Sequence, residues 1–287
     1  MKNYRIVTDS CCDFTRDQYS RLDIDHVKLT LMYKGQERES FSEPEQLREF
    51  YDGIRSGQMP TTSAVNPQSW AAEMEKSLSK GLDVLCMAFS SGLSTTYQSA
   101  VIAAGELREK YPERKIFVTD TLCAALGQGL LVYKACEKRD QGLTLEELYS
   151  WVEENKLHLC HWVTIDDLGH LKRGGRVSAT TALVGGMLNI KPINIMDNNG
   201  KLATVGKCRG RKAAMEMLAN KLAETGTDVQ TIFIAHGDCP EDAAALEKLC
   251  REKRPDVKQV VTGYVGGVIG AHTGPGVLVV FFLGDHR

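Results

Sequence analysis

The chain has 287 residues, 43% of them hydrophobic and 25% charged, values of an ordinary folded protein that set aside a disordered chain and a coiled coil. A net charge of -2 and a pI near 6.4 give no global attraction for polyanions, so nucleic acid is not expected as a partner. The length accommodates one large domain or two of ordinary size, either with a sizeable core.

The first ten residues, Met-Lys-Asn-Tyr-Arg-Ile-Val-Thr-Asp-Ser, contain no apolar run of signal-peptide length. The apolar stretch Val277 to Leu283 is about a third of what a membrane-spanning helix needs and reads as a buried strand. Stable membrane insertion is not expected. Nine cysteines, an odd number without a C-x-x-C pair, sit mostly in apolar segments, and the expected location is the reducing cytoplasm.

In chain order, Tyr4 to Thr8 reads as a first strand ending at the polar turn Asp9-Ser10, with a helix starting near Thr15. Val84 to Phe89 and Lys115 to Thr119 are further short apolar strands, and Ser94 to Lys110 and Leu122 to Lys138 carry helical patterns between and after them. Crossovers of that length call for βαβ units. Residues 1–160 are therefore expected to form an N-terminal α/β domain, a mostly parallel sheet with helices on both faces.

Beyond His158 to Ile165 the glycine pairs Gly174-Gly175 and Gly185-Gly186 appear. Ile190 to Met196 and Leu202 to Lys207 then read as strands joined by the turn Asp197-Asn198-Asn199-Gly200. Helices at Arg211 to Glu224 and Glu241 to Glu252 alternate with strands at Thr231 to His236, Val257 to Thr262 and Val277 to Leu283. Residues 161–287 are expected to form a C-terminal α/β domain, a mixed sheet with helices. No repeat or Pro-rich linker separates the halves, which points to a tight interface, a common place for a ligand.

Several segments concentrate polar side chains where strands should end. Thr8-Asp9-Ser10 reads either as the wall of a site or as a strand end. Pro60-Thr61-Thr62-Ser63-Ala64, ahead of a helix opening at Pro67, offers three hydroxyls that suit an oxyanion or a helix cap. Ser90 to Gln98 joins a buried strand to a long helix, so its hydroxyls and free N–H groups form a natural anion cradle. It lacks the G-x-S-x-G spacing of a hydrolase elbow. Leu171 to Ser178 places Arg173 and Arg176 around paired glycines, suited to phosphate or an acidic partner or simply to solvent. Gly270 to Gly276 reads as a flexible loop with His272 as its one titratable group. Cys11-Cys12 reads as turn residues. His161, His170 and His236 show no metal-ligand spacing, and no metal is expected.

Taken in order, Thr-Asp-Ser, Pro-Thr-Thr-Ser, Ser-Gly-Leu-Ser-x-Thr-Tyr-Gln-Ser-Ala, Arg-Gly-Gly-Arg-Val-Ser, Lys-Pro-Ile and Gly-x-His-x-Gly-Pro-Gly make the chain resemble the DegV family of bacterial lipid-binding proteins over its whole length. The resemblance implies a long-chain fatty acid such as palmitate, buried between two α/β domains with its carboxylate at Thr62 and Ser94. His272 would lie near that head group, with Ser63 and Thr95 beside it. Arg173 and Arg176 would meet a partner or its phosphate. Some family members act as the acyl-carrying subunit of a fatty acid kinase, whose separate ATP-binding subunit phosphorylates the carboxylate. On that reading the chain needs no cofactor and has no catalytic residues, and it holds no G-x-x-x-x-G-K-[ST] sequence. Thr95 departs from the family pattern, in which glycine often follows the serine.

Burying about 15 acyl carbons at ~0.8 kcal/mol each gives a gross term on the order of 12 kcal/mol, against ~1.5–3 kcal/mol for each hydrogen bond to the charged head. The tail should set affinity and the head orientation. The rival reading is a serine-dependent acyl hydrolase or transferase with Ser94 as nucleophile and His272 as base, which requires the two to meet and a third group to orient the histidine.

Overall fold

The computed structural model describes residues 3–176 and 189–287. Strand β1 (Tyr4–Asp9) buries Ile6 and Val7 completely and runs into a 3-10 turn at Ser10–Cys12. Helix α1 (Arg16–Leu22) starts at Thr15, whose hydroxyl accepts from the Gln18 N–H while the Gln18 side chain accepts from the Thr15 N–H. There follow β2 (Asp25–Val27), β3 (Thr30–Tyr33), β4 (Gln36–Glu39), α2 (Pro44–Arg55), β5 (Thr61–Ser63), α3 (Pro67–Leu78), β6 (Asp83–Ala88), α4 (Thr96–Lys110), β7 (Ile116–Asp120), α5 (Ala125–Asp140) and α6 (Leu145–Asn155). Next come β8 (Leu159–Thr164), α7 (Gly169–Gly174), β9 (Ile190–Met196), β10 (Leu202–Arg209), α8 (Arg211–Thr225), β11 (Gly226–His236), α9 (Pro240–Lys253), β12 (Gln259–Tyr264), α10 (Gly267–Thr273) and β13 (Leu278–Gly284).

Strands β2-β1-β6-β7 form a four-stranded sheet in which every neighbouring pair is parallel. Two packed pairs of helices, α3 with α4 and α5 with α6, flank it, and Val84–Ala88 of the central strand β6 are apolar and buried. A six-stranded sheet has the order β10-β9-β8-β13-β11-β12; β11 and β12 are parallel and the other neighbours antiparallel. The fold is α/β with one parallel and one mixed sheet, as the sequence leads one to expect.

Strand β13 is buried along its whole length, and its residues divide by parity. Leu278, Val280 and Phe282 pack with Leu218, Leu222 and Leu246 of α8 and α9, whereas Val279, Phe281 and Leu283 join the core that continues to the parallel sheet. Helix α5 lies in that core between the sheets: a side chain at Gly127 would overlap His161 and Phe281 of the mixed sheet, and one at Gly129 would crowd Cys12 and Phe14 beyond β1.

Local expectations are corrected at three places. Thr61–Ser63 is a strand, not a loop: it pairs with β3 in a small antiparallel sheet, β4-β3-β5, which polar strands of three or four residues do not advertise. His272 sits on a helix, since the supposed loop from Gly270 is helical through Thr273; Gly270 is there because Tyr51 Oη would stand 2.6 Å from any Cβ. Helix α5 begins at Ala125 and not at Leu122, because Leu122 and Ala125 both take left-handed backbone angles, φ 52° and 54°. Val177, Ser178 and the pair Gly185-Gly186 lie outside the described residues. Among those described, no helix is long and apolar enough to cross a membrane.

Candidate functional site

The inward row of the six-stranded sheet forms one wall of a cavity of about 410 Å³, a volume in the range of small-molecule sites. Val163 on β8, Met196 at the end of β9, Leu202 on β10 and Val279 and Phe281 on β13 belong to that wall. Leu29, Phe89, Leu93, Ala124 and Ala125 from the side of the parallel sheet close it, and Val268 and Ile269 of α10 complete it. The tip of the β9–β10 hairpin is clamped to the loop after β6. Ser90 Oγ donates to the Gly200 carbonyl at 2.6 Å, and a side chain at Gly92 would collide with the backbone of Asn199 and Gly200. Gly200 itself takes φ 68° at the turn, and the Asp197 carboxylate accepts from the Asn199 and Lys201 N–H groups.

Polar groups gather in the same cavity. Thr62 and Ser63 come from β5, Ser94 and Thr95 from the loop entering α4, His272 from α10 and Arg176 from just beyond α7. Thr62 Oγ1 lies 2.8 Å from His272 Nε2 across 210 residues of chain. The other face of the histidine rests on Gly174, where a Cβ would overlap Nδ1. Burial, and secondarily the positive charge of Arg176, pushes the His272 pKa down to about 4, so the ring is neutral at pH 7 and free to share a proton with the Thr62 hydroxyl.

Ser94 plays a local role as well: its Oγ accepts from the Thr96 N–H at 3.2 Å and lies 2.9 Å from Thr96 Oγ1, tightening the entry to α4. Ser94 and His272 thus bond to other partners, and the charge acting on His272 is a guanidinium, not a carboxylate. Among the described residues, Ser94 and His272 do not hydrogen-bond to each other as the nucleophile and base of a serine hydrolase would.

Arg176 Nε donates to the Leu93 carbonyl at 3.2 Å, tying the end of α7 to the loop that carries Ser94. Arg173 does not line the apolar cavity. It lies with Met59, His170 and Arg176 on an adjoining cavity of about 300 Å³, and Thr62, Arg176 and His272 line both, standing as a partition between them. Arg173 is exposed and bonds His170 Nδ1 at 2.9 Å.

Thr8, Asp9 and Ser10 are brought elsewhere. Asp9 is fully buried, accepting from the Phe89 N–H at 2.6 Å and the Cys11 N–H at 2.9 Å, and Thr8 donates to the Met87 carbonyl, so these groups fasten β1 to the end of β6. Cys11 and Cys12 are buried in the turn, where desolvation and then Asp9 raise both thiols well above their usual pKa and leave them unreactive. No disulfide joins any of the nine cysteines.

The residue that sequence reasoning passed over is His161, dismissed there as a metal ligand and placed by the structure inside the cavity wall. A signal existed: in Leu159-Cys160-His161-Trp162-Val163 the strand period puts His161 on the face of Leu159 and Val163, a row of buried apolar residues.

Comparison with known proteins follows the same lines. The family model for DegV, described as "Uncharacterised protein, DegV family", matches residues 3–285. A DegV domain-containing protein of Clostridium perfringens is 46% identical, covering 100% of this chain and 99% of its own. Among solved structures, a DegV family protein from Thermus thermophilus, described for its fatty acid binding, is 30% identical with a TM-score of 0.88 over 98% of this chain and 99% of its own. DegV from Bacillus subtilis, described as a fatty acid binding protein, is 27% identical with a TM-score of 0.83 over 99% and 100% of the two chains.

Proposed function

This chain belongs to the DegV family, and from that premise we propose that it is a cytoplasmic carrier that binds a long-chain fatty acid in the cavity between its two sheets. The carboxylate is held at Thr62 and Ser94, with His272, Ser63 and Thr95 around it, and the chain performs no catalysis of its own. The observation that carries this reading is the polarity of the cavity: its hydroxyls and His272 gather beside the partition with the cleft of Arg173, while the inward row of the second sheet offers a long apolar wall.

The hydroxyls suit an anion in this setting. Thr62 and Ser94 can each turn an O–H toward a carboxylate, and neutral His272 can supply an N–H without a buried counter-charge. Tail burial contributes most of the affinity, on the order of 12 kcal/mol gross for a palmitate-sized chain, and the head-group bonds fix the direction of entry. Arg173 and Arg176 stand at the adjoining cleft, where a presented carboxylate can meet the ATP-binding subunit of a fatty acid kinase and the new phosphate can be steadied.

Mass spectrometry of organic extracts from the purified protein, joined to calorimetry with palmitate, tests the first part: a co-purified fatty acid or saturable binding is expected, and neither being found overturns it. For the second, adding a fatty acid kinase ATP-binding subunit should yield acyl phosphate, and Arg173→Ala should lose that turnover while retaining palmitate. Ester hydrolysis by the protein by itself, abolished in Ser94→Ala, would favour the hydrolase.

A further inference from the structure

From Val277, just before the strand, Val279 and Phe281 follow along the inner face of β13, the two separated by about 6–7 Å and leading away from α10 and His272. Across the sheet Val279 pairs with Val163 and Phe281 with His161, so the two rings form the farthest rung from the head group among those of these two strands that line the cavity; the next pair on the same face, Leu283 with Leu159, lies beyond it in the core. They meet edge to face with centroids 5.2 Å apart.

His161 is a polar residue in an apolar wall, and both its nitrogens are occupied. Nδ1 lies 3.1 Å from the Leu159 carbonyl, to which it must donate, and Nε2 accepts from the Ala124 N–H at 3.2 Å. Burial lowers its pKa to about 3, which keeps the acceptor lone pair in place. Ala124 and Ala125 line the cavity opposite, in the segment where Leu122 and Ala125 hold left-handed backbone angles that side-chain-bearing residues avoid. Such a conformation persists only where neighbours enforce it, and the His161 bond is one restraint on it. Gly127, on the first turn of α5, leaves room for the imidazole to lie against the helix.

Resting on the fatty-acid reading, we propose that His161 is the specificity-determining residue for acyl-chain length. Its ring, with Phe281, forms the floor of the acyl channel, and its bond to Ala124 fixes the opposite wall at the distance that floor requires.

The test offers the delipidated protein an equimolar mixture of saturated fatty acids from lauric to arachidic and reads the retained distribution by mass spectrometry. His161→Ala removes ring and bond, and the preferred length should move up by about two carbons or more as the floor opens. Phe281→Leu removes volume from the same rung without touching the Ala124 bond and should shift the profile the same way, which guards against a His161 variant that fails to fold. His161→Phe keeps an aromatic ring, somewhat larger, at the floor but lacks the acceptor, and a profile that is broadened and does not move to longer chains is expected from it. An unchanged distribution in folded His161→Ala and Phe281→Leu overturns the proposal. Should the wild-type protein retain no fatty acid at all, the fatty-acid reading itself has failed, a result distinct from an unaltered length profile.

Discussion

Thr62 Oγ1 and His272 Nε2 stand 2.8 Å apart, the one on β5, an edge strand of the three-stranded sheet, and the other on the helix before β13. Each satisfies the other. On the proposed reading, a carboxylate entering between the sheets would have to exchange this bond for its own, and head-group recognition would include the cost of parting the pair.

Replacing both Thr62 and Ser94 by alanine should weaken palmitate binding by about 3–6 kcal/mol at most, since two bonds to a charged group are lost while the apolar walls remain. Water entering the vacated space lowers the figure. Calorimetry of the double variant, set beside each single one, checks it. A complete loss of binding in a folded protein would mean that the hydroxyls do more than orient the head.

The pH dependence of folding should carry the mark of His272. Its pKa falls from an ordinary 6.5 to about 4 on folding because of burial and then Arg176. Below pH 6.5 the unfolded chain gains a proton that the folded protein refuses until about pH 4, so stability is lost as the pH falls through that window. His161, lowered to about 3, acts in the same direction. Asp9, raised by burial from 3.8 to about 6, opposes both, because its protonated form is favoured by folding below about pH 6. Urea denaturation of wild type and His272→Gln from pH 7.5 down to 4.5 isolates the one group: the gap between the two should be constant above pH 6.5 and move in favour of the variant below it.

Gly174→Ala should destabilise the protein by about 1–3 kcal/mol, although alanine is the better helix former by about 1 kcal/mol. The added methyl overlaps Nδ1 of a ring already held by Thr62. Equilibrium unfolding gives the sign, and a stabilised variant would show that the ring is free to move away.

At the hairpin clamp, Ser90→Ala should cost about 1–3 kcal/mol by leaving the Gly200 carbonyl without its 2.6 Å partner. Faster release of a fluorescent fatty acid should accompany the loss, because Met196 and Leu202 on the same hairpin wall the cavity. Stopped-flow dissociation measures it; an unaltered release rate would separate the clamp from ligand retention.

How much of this was legible in the sequence depended on contrast. The hairpin at Asp197–Gly200 and the run ending in β13 stand out, the first by its turn residues and the second by unbroken hydrophobicity. The sheet β4-β3-β5 does not, since all four residues of β4 are exposed and β5 is three polar residues long. Helix α2 buries Leu47, Phe50, Tyr51 and Ile54, a helical spacing plain in retrospect yet diluted by the charged residues Glu45, Arg48, Glu49, Asp52 and Arg55. The polar members of the site could be named because hydroxyls and a histidine are rare company for glycine turns. Its floor could not: His161 and Phe281 are 120 positions apart, and nothing local in either strand says that they share a rung.

The parity of β13 gives the protein two separable alphabets on one strand. Changes at Leu278, Val280 or Phe282 are felt by α8 and α9 and register as folding defects. Changes at Val279 or Phe281 alter the shape of the space that receives the ligand. A change of cavity shape can therefore be written at alternate positions of a single segment without passing through the helices packed on its other face.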